Sequence, residues 1–479
     1  MRMENKEKEI PFLLAILPMI IMISVMAVTI IKFEGSPHVP LIIGTIACCL
    51  IAWTQGYTWK EMEQGIVKGI TLVIPAIIII MLVGLIISSW IGGGIIASMI
   101  YYGLKLLTPS LFLVSICLIC MIVSLAIGSS WSTMGTIGVA GMGIGISMGI
   151  PSPMVAGAII SGSYFGDKMS PLSDTTNLAA GVTNTDLFEH IKHMMYTTIP
   201  GLGIALIVYF ILGRQFHAVD FRTGNINEII SVLEANFVIS PWLFLAPLVV
   251  ILLVVRKVPA LPALTAGVFI GWFCHVFIQG GSIGAAVNVL HDGYFIESGN
   301  ALVDNLFNRG GIQDMMFTVS LTIVAMTFAG VMEATGMLRS IVHQIMKLAK
   351  TAKSLIPATV GSAFLTNLVA AEQYISVLLP GRMFPEAYKA KNLHSKNLSR
   401  AIEDGGTLTS PLVPWNTCGV YIFSTLGVSA LQYAPFAVLN YTVPIISILF
   451  AIFGIKVAYV KKGKTDVVEE TAQLLGKKA

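Results

Sequence analysis

The chain reads as an all-α polytopic membrane protein of roughly ten to twelve transmembrane helices, with two inverted-topology repeats, discontinuous helices and re-entrant hairpins. Three observations lead there. Of its 479 residues 55% are hydrophobic and 11% charged, with a mean hydropathy of +0.83, whereas a soluble domain is roughly 25% charged. Uncharged runs occupy 71–104, 106–166, 235–255, 258–291 and 405–455, each at or beyond the roughly 20 residues that carry a helix across the hydrocarbon. Polar stretches rich in Gly and Pro interrupt such runs at matching places in the two halves. The weak alternation of an outer-membrane barrel is missing, so the spanning segments are helical.

The N-terminus, "MRMENKEKEIPFLLAILPMIIMISV", opens like a signal peptide, but its apolar stretch continues to Ile31 with no small-residue cleavage motif. It is expected to be the first span. Arg2, Lys6 and Lys8 precede it, and Lys456, Lys461, Lys462, Lys464, Lys477 and Lys478 follow the last apolar run. The positive-inside rule then puts both termini in the cytoplasm, with an even number of crossings. The net charge of +4 carries no implication of a nucleic-acid partner, since the basic residues stand where topology requires them.

Five segments are expected: 1–65 with the N-terminal segment and first spans, 66–215 as transport repeat 1, 216–299 as connection and scaffold spans, 300–460 as transport repeat 2, and 461–479 as a cytoplasmic tail. Cys117 and Cys120 have C-x-x-C spacing inside an apolar helix, and with Cys48, Cys49, Cys274 and Cys418 they read as packing. His190 and His193, in "DLFEHIKHMMY", lack metal-site spacing and read as an amphipathic helix on the membrane surface. "GVAGMGIGISMG" reads as close helix packing through small residues.

The internal symmetry is weak in identity but consistent in order. "AIISGSYFGDKMSPLSDTTN" from Ala158 aligns with "AIEDGGTLTSPLVPWNT" from Ala401 if three residues are gapped, and upstream "GSSWST" at 128–133 matches "GSAFLTN" at 361–367. Interrupted apolar segments at corresponding places in two halves point to a transporter binding site. Basic clusters at Arg339, Lys347, Lys350 and Lys353 and at Arg382, Lys389, Lys391, Lys396 and Arg400 flank a single apolar stretch, Ser354 to Gly381. With both clusters cytoplasmic, that stretch is a re-entrant hairpin with "LTN" at its tip, and symmetry suggests another between Pro109 and Pro151 tipped by "GSSWST". The tip residues are then Ser129, Ser130 and Thr133, and Thr366 and Asn367.

Proline lacks an N–H and pushes away the carbonyl four residues earlier, so Pro171 is expected to bare the Asp167 carbonyl and Pro411 that of Thr407. Gly166, Gly405 and Gly406 would add the freedom an unwound turn needs. The two breaks would gather oxygen from Asp167, Ser170, Asp174, Thr175, Thr176, Asn177, Thr407, Thr409, Ser410 and Asn416. Oxygen without thiolate or imidazole suits a hard cation such as sodium and no transition metal. Carboxylates inside the membrane are functional candidates by default, which brings in Glu333, Glu372 and Asp404 as coupling acids. Sodium and a proton compete for such a group, and that competition is an exchange mechanism if the site faces one side at a time. Plainer readings stand beside these: Lys168 as the ion-pair partner of Asp167 or Asp174, Glu333 as an interfacial residue or partner of Arg339, and Glu403 and Arg400 as parts of a solvated turn.

The blocks "GSSWSTMGTIG", "GSYFGDKMSPLSDTTNLAAGV", "RGGIQDMMFTVSLTIVAMTFAGVMEATGML", "TNLVAAEQYISVLLPGRMF" and "SPLVPWNTCGVYIFSTLGV" resemble those of the NhaC family of bacterial sodium/proton antiporters, over about 70 to 445. The resemblance implies a bacterial cytoplasmic-membrane protein that exports sodium as protons move inward, with no cofactor beyond the transported Na+ and H+. It places the family's polar signature on Asp167, Ser170, Asp174, Thr175, Thr176 and Asn177, and on Thr366, Asn367, Pro414, Trp415 and Asn416. At position 372 the family more often has Asp than this Glu. Related chains exchange organic acids, such as malate for lactate, or amino acids, and that alternative stays open. A channel would show a repeated filter, and no nucleophile–base pair suggests an enzyme. The expected partners are Na+, H+ and membrane lipid; a homodimer is left open.

Overall fold

The structure, a computed structural model, describes residues 10–460 except 34, 217–222 and 257. The basic residues of both tails that were used to orient the chain, apart from Lys456, lie outside the described residues. Within them the regular secondary structure is helical, apart from two single-residue bridges, Tyr294 with Arg309 and Leu393 with Tyr459.

Two helices, α1 (Phe12–Phe33) and α2 (His38–Thr54), precede α3 (Trp59–Gly92). Then come α4 (Ile95–Leu106), α5 (Pro109–Ile127), α6 (Ser130–Thr133), α7 (Val139–Ser147), α8 (Ser152–Met169), α9 (Asp174–Val182) and α10 (Leu187–Arg214). The connection holds α11 (Thr223–Asn236), α12 (Leu245–Val255), α13 (Ala260–Phe277), α14 (Ile283–Asp292) and α15 (Ala301–Phe307). The second half has α16 (Gly311–Ala334), α17 (Met337–Leu348), α18 (Ala352–Ala370), α19 (Gln373–Met383), α20 (Pro385–Ala390), α21 (Ser395–Ile402), α22 (Thr417–Leu426), α23 (Ala430–Tyr433) and α24 (Val438–Phe453).

Among the described residues, six helices are long and apolar enough to cross a membrane alone, or up to eight if each of two bent pairs is one span. That is fewer than the ten to twelve expected, because several apolar runs are divided. The run 106–166 is cut at Gly128 and again at 148–151, and 71–104 is cut at Gly93 and Gly94. A backbone that leaves the helix at membrane depth is tolerated only where protein or a water-lined cavity surrounds it.

The two halves match element by element, at one constant offset from Thr108 and Thr351 onward and at one residue less before them. Gly94 and Gly336, both at φ 71°, start the twelve-residue helices α4 and α17. Thr108 and Thr351 precede α5 and α18, each of 19 residues. Gly128 (φ 75°) and Ala371 (φ 53°) end those helices in the left-handed region. Ser129 (φ −149°) and Glu372 (φ −145°) then cap the next helix in extended conformation. Ser173 and Asn416 cap α9 and α22. From Thr108 onward this register needs no gap, so the two Ser-Pro-Leu triplets that the sequence invites one to superpose are not equivalent. Asp167 corresponds to Ser410 instead.

The helices that open each half, α3 and α16, lie face to face. Gly65 meets Gly330 and Ala334, Gly69 meets Met326 and Gly330, and Gly84 meets Gly311 and Met315. Ascending numbers on one helix meet descending numbers on the other, so equivalent helices run antiparallel and the halves have opposite orientation. Glycine at the crossing is required by distance: a Cβ on Gly330 would stand 2.3 Å from the Gly65 carbonyl oxygen. Small residues let membrane helices approach in this way. The glycine-rich 138–149 stretch does the same, with Gly141 against Ile116 and Gly145 against Phe112 and Val155. All six cysteines are free thiols, Cys117 and Cys120 buried in α5.

Candidate functional site

Each half contains a helical hairpin, α5 to α6 and α18 to α19, turning at the left-handed residue and its extended successor. The two tips, the break between α8 and α9 and the start of α22 surround one cavity of about 620 Å³. Gly128, Ser129, Ser130, Trp131 and Ser132 come from the first tip, and Glu372, Gln373 and Tyr374 from the second. The break between α8 and α9 supplies Asp167, Leu172, Asp174 and Thr175; Thr417 and Cys418 come from the start of α22. Leu72, Val73, Pro75, Ala76 and Ile79 of α3 and Val254, Val258, Pro259 and Ala260 supply apolar lining. Among the described residues, the charged side chains lining this cavity are three carboxylates: Asp167, Asp174 and Glu372.

Asp167, 6% exposed, stands in the last turn of α8 and accepts a hydrogen bond from Ser130 Oγ at 2.7 Å. The counterpart contact in the other half is neutral: Ser410 Oγ donates to Gln373 Oε1 at 3.0 Å. A second symmetric pair binds each hairpin to its broken helix, Ser124 Oγ to the Ser163 carbonyl at 2.5 Å and Asn367 Nδ2 to the Gly406 carbonyl at 2.6 Å. Asp174 is the first residue of α9 and is exposed, whereas Glu372 is buried and caps α19 by accepting from Ile375 N at 2.9 Å. Trp131 stacks on Tyr421 of α22 with ring centroids 4.2 Å apart, tying the first tip to the second half.

The profile of the Na+/H+ antiporter family matches residues 162–455. Over 458 residues the chain is 39% identical to the Na(+)/H(+) antiporter NhaC of Alkalihalophilus pseudofirmus, covering 95% of this chain and 97% of that protein. The chain belongs to the NhaC family of Na+/H+ antiporters. Membership makes it a multi-pass secondary transporter rather than an enzyme. The chain is also similar to the malate-2H(+)/Na(+)-lactate antiporter of Bacillus subtilis, 34% identical over 95% of this chain and 98% of that one. The arginine/ornithine antiporter ArcD of Halobacterium salinarum is 36% identical over 94% of each.

Of the residues singled out in this NhaC-family chain, Asp167, Asp174 and Thr175 of the expected cation set, the tip residues Ser129 and Ser130 and the expected coupling acid Glu372 line the cavity. The others serve the backbone around it. Ser170 Oγ accepts from Leu172 N, Thr176 Oγ1 donates to the Lys168 carbonyl at 2.9 Å, and Asn177 Nδ2 donates to the Ser173 and Pro171 carbonyls. Thr409 Oγ1 accepts from Asn367 Nδ2 at 3.0 Å, and Asn416 caps α22 while donating to Asn367 Oδ1. Thr407 is buried beside Glu403. Thr133 and Thr366 bond carbonyls of their own segments, those of Ser129 and Ser362. "LTN" is the last turn but one of α18, not the tip, which lies at Ala371 and Glu372.

The expected bare carbonyls are covered. Helix α8 ends at Met169, so Pro171 stands in the turn beyond it, and the Asp167 carbonyl accepts from Ser170 N at 3.3 Å and Thr176 Oγ1 at 3.4 Å. Pro411 lies in a short 3-10 turn, Ser410–Leu412, and the Thr407 carbonyl accepts from Ser410 Oγ at 2.8 Å. Gly166 and Gly405 are sites of close approach rather than of unwinding: a Cβ would stand 2.4 Å from Leu125 N and 2.6 Å from the Val360 carbonyl oxygen, respectively. Gly406 similarly faces Ser376. With no carbonyl for Pro171 to release, Pro171→Ala is expected to leave apparent sodium affinity within about twofold, measured by the sodium dependence of transport. A larger loss would restore a direct role for the proline.

The charged neighbours differ from expectation as well. Lys168 bonds neither Asp167 nor Asp174. Successive residues on a helix point about 100° apart, and Lys168 turns away from the cavity to Asp404 Oδ1 at 2.5 Å, both side chains fully buried. Thr197 Oγ1 of α10 donates to the same carboxylate at 3.2 and 3.3 Å. Arg400 and Glu403, expected in a solvated turn, are both 0% exposed. Glu333 pairs with Lys68 at 3.0 Å at a partly exposed position. His190 and His193 start a long spanning helix instead of lying on the surface, and His190 Nδ1 meets Ser399 Oγ at 2.8 Å. Their polarity was misread because their partners, on α21, are remote in sequence. Ser132, Trp131, Gln373, Tyr374, Thr417 and Cys418 were missed; Gln373 had one available signal, its position beside Glu372 where the first half has Ser130.

Proposed function

We propose that this antiporter exchanges sodium for protons by alternating access across the bacterial cytoplasmic membrane. The cation is held at Asp167 and Asp174, with Thr175, Ser129, Ser130 and Glu372 supplying further oxygen. The observation that carries the reading is the sign of the cavity: its charged lining is three carboxylates. Oxygen-rich, anionic lining suits a hard cation. An organic acid would want a cation or an open helix N-terminus. Lys168, the base nearest the motif, is taken by Asp404, and the helix starts at both tips are capped by Ser129 and Glu372. Alternating access finds support in the two halves of opposite orientation, a design in which each half can adopt the other's arrangement. The orientation with both termini in the cytoplasm is part of the proposal.

A second reading is exchange of a cationic amino acid. A cavity of about 620 Å³ exceeds the need of a bare ion, and its aromatic side chains Trp131 and Tyr374 can hold a cation against a ring face. The purified protein in proteoliposomes with sodium and a pH gradient, and no organic solute, separates the readings. Proton movement under those conditions supports sodium/proton exchange. Silence until arginine or ornithine is added supports the second reading, and silence until malate or lactate is added overturns both.

A further inference from the structure

We infer that Trp131 and Tyr421 form the external gate of the cavity, closed in this structure, and that parting them exposes the site to the outside. The inference rests on the alternating-access part of the reading above and names the contact that has to break. Its starting point is a difference between equivalent places. In the register set by Ser129 and Glu372, the counterpart of Trp131 is Tyr374 and that of Tyr421 is Leu178.

The first pair is joined twice. The Trp131 and Tyr421 rings lie 7° from parallel with centroids 4.2 Å apart, and stacked rings attract beyond the area they bury. The Tyr421 hydroxyl also donates to the Trp131 carbonyl at 2.6 Å. Beyond the rings, α22 follows the return arm of the first hairpin with no side chain between them: a Cβ on Gly135 would stand 2.9 Å from Tyr421 Oη, and one on Gly138 3.4 Å from Leu426. Tyr421 is 0% exposed. The second pair has neither joint. Tyr374 is 45% exposed and lines the cavity, while Leu178 offers no ring and no hydroxyl. Asp174 and Asn177 of α9 are exposed, whereas their counterparts on α22, Thr417 and Val420, are buried.

The sidedness follows from the basic residues. Lys347, Lys350 and Lys353 stand where the second hairpin begins and Lys389 and Lys391 just beyond its end, so that hairpin enters from the cytoplasm. The first, of opposite orientation, enters from outside. Helix α21 starts beside Lys396 and α22 leads away from it, which puts the Trp131–Tyr421 contact external to the cavity. Glu189, at the start of α10 shortly after α9, lies 3.7 Å from Lys396, so the exposed α9 lining faces the cytoplasm. Arg256, just before the cavity-lining Val258 and Pro259, marks the same side. The cavity is sealed outward and open inward.

The opposite state arises when each half takes the other's arrangement. The first tip then parts from α22 as the second closes on α9. The return arm of the first hairpin holds a π-helical turn, Met134–Gly138, where its counterpart α19 runs unbroken from Gln373 to Met383. Such turns are frequent at functional sites, and this one gives the tip a place to bend. Because Tyr374 and Leu178 make the poorer closure, the resting population favours the inward-open state.

The test reads which face of the membrane reaches the cavity. Ala76 of the cavity lining becomes the reporter as Ala76→Cys, with Cys418→Ser removing the native thiol that also lines it. A membrane-impermeant sulfonated maleimide is applied to right-side-out and to everted vesicles. Labelling is expected to be faster in everted vesicles; faster labelling from outside overturns the assignment of sides. Adding Tyr421→Phe keeps the ring and deletes one hydrogen bond, an effect of about two- to tenfold on a two-state population. External labelling is expected to rise by that factor, with no comparable rise in everted vesicles. Trp131→Leu, which removes the stack, acts in the same direction. Unchanged external labelling in both variants overturns the gate, as does an equal rise from both faces, which would mean general loosening. Labelling requires no transported solute, so a failure of the sodium reading shows separately, as proton movement that ignores sodium.

Discussion

Asp167→Asn is expected to remove sodium-dependent proton movement in everted vesicles while leaving insertion intact. Asparagine has the same shape, and its amide oxygen can still accept from Ser130 Oγ, which now donates at 2.7 Å. What is lost is the charge. A hydrogen bond or ligand contact to a charged group is worth about 1.5–3 kcal/mol, or about ten- to hundredfold in affinity, and exchange that depends on the bound cation falls with it. Asp174→Asn should act in the same direction with a smaller effect, because Asp174 is exposed at the cavity and water already competes there. Unchanged exchange in Asp167→Asn, with normal protein in the membrane fraction, would remove this cavity as the ion site.

The second large effect concerns stability. Lys168→Met leaves Asp404 fully buried with only the Thr197 hydroxyl for a partner, and breaking a buried pair by removing one member costs about 3–5 kcal/mol. The pair also joins the halves, since Lys168 belongs to α8 and Asp404 to the π turn after α21. Replacing both residues, Lys168→Met with Asp404→Leu, should recover most of the loss, because no charge then remains buried without its counterpart. Thr197 would keep its bond to the Met194 carbonyl at 3.1 Å. Thermal unfolding in detergent measures both variants. A double variant as unstable as the single one would mean that Lys168 matters through packing and not through its charge.

The repeat was legible in the residues, but its register was not. The Ser-Pro-Leu triplets drew the two halves together with a gap, whereas the structural match runs through features that identity cannot reveal: Gly128 against Ala371 and Ser129 against Glu372, alike in backbone angles and not in side chain. The sequence pointed to the acids of the 167–177 motif and to Glu372 because charge in an apolar run is conspicuous. It misplaced the hydroxyls and amides because those groups are common, and local backbone needs take most of them: Asn177 locks a turn and Asn416 caps a helix. Glu403 was read as solvated for the opposite reason. In "LSRAIEDGG" it stands among polar residues, and only helices packed from elsewhere in the chain take it out of water.

Composition alone determined that this is a helical membrane protein, since so few charges over so many apolar residues leave no other way to satisfy the backbone in lipid. The order of residues indicated the breaks near Gly128 and after Met169, where glycine, proline and capping residues act on their immediate neighbours, but not the one at Ala371. Which broken ends meet, and which acid faces the cavity or pairs with Lys168, were decided by tertiary structure. Each depends on contacts between segments of opposite halves, and sequence distance says nothing about that approach.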